Sequence, residues 1–264
     1  MTAMARIRDG LAWRVDGARA IARSMWRTAG FDRAQRVPLT FRGEGRVPVI
    51  LCTWRRLERL PRTLEMLAAQ DVPVQAMIWD NSTDPVTVAK AAADACIPVT
   101  VHHSRRNIGG FARFYAAREA AEAGYETVVF IDDDMDFGPD TVGNLLRAHR
   151  PRSLSGWFAF SQFLVSQETW VPPGEPAVYV GTGGMVTDSA VFTDPRLFAC
   201  PRRYWFLEDV WLSCFARQIG YDLFASPARF TEVLDGVNQS LSLGWARRRL
   251  VRYLERNGPQ AKPA

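Results

Sequence analysis

From Arg46 onward the chain alternates short uncharged apolar runs with stretches whose apolar residues recur every three or four positions. That alternation is the signature of an α/β fold with parallel strands. Val47–Cys52 (VPVILC) predicts a buried strand and Leu57–Gln70 the helix after it. Val74–Trp79 is a second strand running into the polar turn Asp80-Asn81-Ser82-Thr83-Asp84. Pro85, suited to a first helical turn, opens a helix to about Ala95. Val99–His102 and Gly110–Ala123 form the next strand and helix, stopped by Gly124 as a left-handed cap. Thr127–Ile131 (TVVFI), β-branched, aromatic and uncharged, is the clearest strand, and it ends directly on Asp132-Asp133-Asp134. A helix from Pro139 to about His149 follows.

The second half is less regular. Gly156–Val165 and Ala177–Gly181 are aromatic-rich strand candidates. Glu208–Ile219 has helical spacing in Val210, Leu212, Ser213, Phe215 and Ala216, and ends at Gly220. We expect a mixed extension of the sheet that completes a site begun by the first half. At the amino end, Ile7, Leu11, Val15, Ala18, Ile21 or Ala22, and Met25 recur at helical spacing, with Arg8, Arg19, Arg23 and Arg27 mostly elsewhere on the wheel. The expected divisions are an extension 1–46, two halves of one domain at 47–150 and 151–242, and a basic helix and tail 243–264.

Charge sharpens this division. Residues 1–46 hold ten Arg against four acids, or +6; residues 243–264 hold five Arg and one Lys against one Glu, or +5. With +5 overall, the segment between them is −6. An acidic body argues against nucleic-acid binding, which needs positive charge on the folded face. The basic ends suit an anionic membrane surface, or a helix packed on its own domain or a partner subunit. No run of about 20 apolar residues predicts a membrane span. The Arg-rich start does not resemble a secretory signal. Cys52, Cys96, Cys200 and Cys214 lack paired spacing, which argues against a zinc site or disulfide framework. A cytoplasmic protein, peripheral at the inner face of the membrane, is the expectation.

In an open parallel sheet, ligands bind beyond the carboxyl ends of the strands. Those ends carry Thr53-Trp54-Arg55-Arg56, Asp80-Asn81, Arg105-Arg106-Asn107 and Asp132-Asp133-Asp134. Three adjacent carboxylates repel one another unless a cation or donors compensate. Mg2+ or Mn2+, with diphosphate oxygens as further ligands, suits them, and would neutralise charge on a phosphate leaving group. The competing reading is a helix cap within a solvated acidic loop. Gly181-Thr182-Gly183-Gly184 permits close backbone approach to a ligand, but without a following Lys-Ser/Thr it is not an ATP-binding loop.

Five segments together resemble, in order and spacing, the family 2 glycosyltransferases of the GT-A fold, of the bacterial cell-surface glycan type. They are VILCTWRRLERLPRTL (Val49–Leu64), WDNSTD (Trp79–Asp84), RNIGG with its preceding Arg (Arg105–Gly110), VVFIDDD (Val128–Asp134) and LEDVW (Leu207–Trp211). The resemblance implies a mainly parallel mixed sheet flanked by helices, with a nucleotide-binding half at 47–150 and an acceptor-binding, catalytic half at 151–242. It implies a nucleotide-sugar donor, usually UDP-linked, held by Thr53, Arg55, Asp80, Asn81, Arg105, Asn107, Gly109, Asp132 and Asp133, with Asp80 on the base. Asp134 and Asp132 would bind Mn2+ or Mg2+.

Asp209 of the Glu208-Asp209 pair would be the base that deprotonates an acceptor hydroxyl, giving inversion in a single displacement. The plainer reading of that pair is acids favoured at a helix start. Gly183, Gly184 and Trp205 would line the sugar and acceptor pocket, although a Trp is more often core. The acceptor would be a glycan or lipid-linked molecule. The sequence departs from the family in lacking a late His; Asp235, Asn238 or a serine of Ser240-Leu241-Ser242 would have to replace it. Arg55 also stands where the family usually has Asn. The alternatives are a sugar-nucleotide nucleotidyltransferase, disfavoured because Cys52–Leu60 has no Gly; an aspartate-nucleophile phosphatase, whose motif would continue with Gly-Thr rather than Met135-Asp136; and a non-catalytic carbohydrate-binding subunit.

Overall fold

The computed structural model describes residues 3–33, 45–163, 169–233 and 243–258, with backbone alone for 3–13. In chain order the elements are α1 (Ala3–Thr28), β1 (Val47–Thr53), α2 (Leu60–Ala68), β2 (Val74–Asp80), α3 (Pro85–Ala93), β3 (Val99–His103), α4 (Ala112–Glu122) and β4 (Thr127–Phe130). Then come β5 (Met135–Phe137), α5 (Thr141–Ala148), β6 (Ser153–Gly156), β7 (Ala159–Phe160), β8 (Tyr179–Val180), β9 (Met185–Asp188), α6 (Glu208–Gln218), β10 (Asp222–Ala225), β11 (Phe230–Glu232) and α7 (Gly244–Asn257).

Among the described residues the central sheet has seven strands in the order β10-β6-β9-β4-β1-β2-β3. β1, β2, β3 and β4 run parallel, while β9 is antiparallel to β4 and β6. The expected fold class, a mainly parallel mixed sheet flanked by helices, is the one observed. β6, β9 and β10 continue the same sheet across residue 150, so the two halves share one scaffold.

All seven residues of β2 are buried, as expected of a strand covered on both faces. Successive β1 residues serve opposite layers. Ile50 packs with Phe111, Phe114 and Trp211, whereas Val49 and Leu51 pack with Leu60, Leu64 and Val142. The register sets Thr53 opposite Asp80 and Asp80 opposite His103, which brings three polar strand ends to one edge.

Two helices begin as 3-10 turns, Leu57–Arg59 before α2 and Gly109–Phe111 before α4, and Gly124 at φ +89 ends α4 as expected. β9 was not expected: four residues behind a Gly-rich turn carry too little pattern to separate from a loop. Of the Gly156–Val165 candidate, only Ala159–Phe160 forms a strand beyond Gly156, and Leu164 and Val165 lie outside the described residues.

α1 lies against Arg202–Leu207 and α7. Its inner face is mainly small and polar. Gly17 abuts the Trp245 ring, the Ser24 hydroxyl donates to Arg202 O (2.6 Å), and Thr28 is buried. Ala20 and Ile21 also pack against the core, while Val15, Met25 and Trp26 are exposed at 40, 55 and 78%. Among the described residues no helix is long and apolar enough to cross a membrane.

Candidate active site

The carboxyl ends of β1, β2 and β4 and the start of α6 meet at one site. At its floor Asp80 is fully buried: Oδ1 accepts from Ser82 N (2.7 Å), and Oδ2 lies 2.7 Å from His103 Nδ1. Asn81 Oδ1 accepts from Ile108 N (3.1 Å) and its Nδ2 donates to Gly109 O (3.2 Å). Asn107 Oδ1 accepts from Gly109 N (2.9 Å), and Gly109 takes φ +69. Both amides therefore shape the 107–109 loop, satisfying backbone groups that no strand can pair.

The acidic triplet is compensated by arginines. The Asp132 carboxylate accepts from Arg113 Nη2 (2.8 Å), while Arg56 Nη1 lies 3.5 Å from Asp133 and 3.3 Å from Asp134. Asp133 is also buried, beside the Thr53 hydroxyl. Burial pushes its carboxyl up to about 6. Burial, then repulsion from Asp132, pushes Asp134 up to about 7 against the pull of Arg56. Asp136, the next acid, is held below the usual carboxylate range by its bonds to Arg62 and Arg59.

These hard oxygen donors suit Mg2+ or Mn2+. Among the described residues no group of three His, Cys, Asp or Glu could hold an ion. Asp134 and Asp132 would therefore share it with water and phosphate oxygens, the usual division for Mg2+. Glu232 on β11 is a further carboxyl in the field of Asp132, pushed up by burial and by that charge. The sequence reading missed it, because nothing in β11 marks an approach to β4.

Gly183 and Gly184 are required by packing. A Cβ on Gly183 would lie 2.5 Å from Asp132 Oδ2, and one on Gly184, at φ +76, 2.4 Å from the Phe230 ring. The turn thus seats the backbone directly against the triplet.

The opposite wall is the acidic pair at the start of α6. Glu208 is buried with its carboxylate against Gly110, where any Cβ would lie 1.8 Å from Oε1. Burial pushes this carboxyl up to about 8, outweighing Arg113, and Asp209 adds to the rise. The Asp209 carboxylate accepts from the buried Tyr179 hydroxyl and from Val210 N (2.7 Å). Burial, then the Asp209 charge, holds that hydroxyl well above its ordinary value.

Arg113 joins the walls. Its buried guanidinium bonds Asp132, donates from Nε to Gly110 O (3.2 Å), and lies 3.9 Å from Glu208 Oε1. Sequence reasoning did not single it out; its signal was an Arg on the buried face of an Ala- and aromatic-rich helix.

One expected pocket residue lies elsewhere. Trp205 is core: fully buried, stacked on Phe111 (4.6 Å, 7°) and donating from Nε1 to Cys200 O (2.9 Å). It therefore cannot stack on a sugar, and this expectation is corrected. The Arg55 guanidinium sits 4.0 Å from the Trp54 ring centroid, and Arg105 is exposed. Asp235, Asn238, Ser240, Leu241 and Ser242, considered as late ligands, lie outside the described residues, as does the tail from Pro259.

No protein-family model and no curated protein matches the chain. Solved structures do. The mannosyltransferase PcManGT from Pyrobaculum calidifontis, in complex with GDP-Man and Mn2+, aligns with TM-score 0.53 at 17% identity over 95% of this chain and 74% of that one. S. aureus TarS 1–349 in complex with UDP aligns with TM-score 0.50 at 19% identity over 70% of this chain. The match spans 59% of that TarS chain. At these identities the comparison shows the fold, a GT-A-like sheet shared with glycosyltransferases.

Proposed function

We propose that this chain transfers a sugar from a nucleotide-diphosphate donor to a hydroxyl of a glycan or lipid-linked acceptor, inverting the anomeric centre. The observation that carries the reading is the meeting of Asp132 and Glu208 on one buried guanidinium, Arg113, which sets the strand-end triplet across from the acidic pair. The GDP-Man and Mn2+ in PcManGT and the UDP in TarS support a nucleotide donor and a divalent ion here. The resemblance of the five motifs favours UDP and cell-surface polysaccharide synthesis.

Asp209 is the base in this reading. Its carboxylate is stabilised as an acceptor by Tyr179 and is less buried than Glu208. Thr53, Arg55, Asp80, Asn81, Arg105, Asn107 and Gly109 border the donor, and Asp133 buttresses its neighbours. Asp134 and Asp132 hold Mn2+ or Mg2+, which when bound neutralises the departing nucleoside diphosphate. Gly183 and Gly184 lie at the sugar. The exposed Val15, Met25 and Trp26 of α1, flanked by arginines, rest on an anionic membrane at the inner face.

Thermal melting with UDP and GDP tests this, with Mn2+ or with chelator. Nucleotide should raise Tm only when the metal is present. Equal stabilisation in chelator would remove the metal assignment. A screen of UDP-, GDP- and dTDP-sugars that released no nucleotide, with any acceptor or with water, would overturn the transferase reading.

A further inference from the structure

The second half of α1 carries cations that sugar transfer leaves unused. Arg23 and Arg27 lie one helical turn apart on one wall of a narrow groove, and Asn107, Gly109 and Phe206 form the other. Among the described residues no acidic side chain lines it. The Arg27 guanidinium lies 4.4 Å from the Trp54 ring centroid, and that of Arg55 lies 4.0 Å from the same centroid, so Arg55 joins Arg23 in the field of Arg27 beside the groove. None of them makes an ion pair among the described residues, although Arg56, next in sequence, reaches Asp133 and Asp134. Arg27 is held below its ordinary value by burial and by repulsion from Arg23 and Arg55. Like charges collected without a counter-charge cost free energy that a bound anion would return.

We propose that this groove is a phosphate-ester subsite, in which Arg23 and Arg27 hold a phosphate of the acceptor. The proposal rests on the transferase reading of the adjoining site. Guanidinium forks match phosphate oxygens in paired, charge-assisted hydrogen bonds, and the Trp54 ring lies against the Arg27 head group. The groove shares Asn107 and Gly109 with the donor side, and the allotment of the diphosphates favours the acceptor here. The donor diphosphate is allotted to Asp132 and Asp134 with their ion, whereas Phe206 leads in two residues to the pair that meets the acceptor hydroxyl. An acceptor ending in sugar and carrying a phosphate or diphosphate nearby would therefore lie along α1, with its hydroxyl at Asp209.

The test titrates the whole chain with inorganic pyrophosphate at constant ionic strength in chelator, which silences the aspartate site. Arg23→Gln/Arg27→Gln should bind about tenfold or more weakly than the parent, as expected for lost hydrogen bonds to a charged group. Arg27→Lys should lose less. Parent-like binding by a folded double variant would overturn the subsite, as would no binding by the parent. If the double variant does not fold, Arg23→Gln alone, on an exposed side chain, replaces it; a loss of about threefold supports the subsite and no loss overturns it. UDP affinity with Mn2+ is then measured on the same variants. An unchanged value supports the acceptor assignment, and a parallel loss overturns it by placing the donor diphosphate in the groove. Because pyrophosphate binding needs no turnover, the subsite and the transferase reading can fail separately.

Discussion

Arg113 shows how one residue can set the chemistry of two others. It faces Asp132 on one side and Glu208 on the other, yet burial still pushes Glu208 up to about 8 from its ordinary 4.5. Between those values the folded chain binds more protons at this carboxyl than the unfolded chain does. Stability from this group is therefore lost as pH rises from about 4.5 to 8, and Glu208→Gln should flatten that slope in urea melts across the window. Asp209→Asn should cut kcat by roughly 10²–10⁴ with UDP affinity nearly intact, the signature of a lost general base. Turnover retained by Asp209→Asn but lost in Glu208→Gln would pass the base role to Glu208. The triplet at 132–134 was legible because acids directly after an uncharged strand need compensation. Arg113 was not, because an Arg in a helix usually marks solvent, and the carboxylates that draw it inward are distant in sequence. Trp205 erred the other way: an aromatic beside a motif suggests a ligand platform, but Phe111 and Cys200 had already claimed it.

At the scale of elements, legibility followed length and burial. The first four strands are uncharged runs between helix-period segments, and each was readable within a residue or two. β9 was hidden because it is short, and because its position depends on Gly184, whose N–H donates to Phe130 O (3.0 Å) and whose carbonyl accepts from Trp157 N (2.9 Å). Gly184 thus clamps β4 and the chain after β6, with Phe230 filling the space where a side chain would stand. Gly184→Ala should cost the left-handed backbone penalty, about 1–2 kcal/mol, plus about 1–3 kcal/mol for displacing the ring. Gly174, at φ +87 with nothing within 4 Å of its would-be Cβ, isolates the first cost. A drop in denaturation midpoint for Gly184→Ala no larger than for Gly174→Ala would show that Phe230 yields freely and that the turn is not pinned by packing.

Across the whole molecule the organising feature is charge placed by segment: +6 in residues 1–46 and +5 in 243–264 around a body at −6. Each basic segment contains a helix, α1 or α7, and these lie against one another rather than at opposite poles. Periodicity showed α1 to be amphipathic but not which way it turned, since burial here uses Gly17, Ser24 and Thr28 beside Ala20 and Ile21. Gly17 admits Trp245, and Ser24 bonds Arg202 O. That leaves Val15, Met25 and Trp26 outward among arginines, a combination with interfacial character. Met25→Ser/Trp26→Ser should therefore leave Tm unchanged, because neither side chain is buried on the domain, while reducing flotation with anionic vesicles severalfold. Added salt should weaken flotation of the parent as lipid attraction is screened. Equal flotation of parent and variant would exclude this face from the membrane; Arg248, Arg249 and Arg252 on α7 would then be the next charges to neutralise.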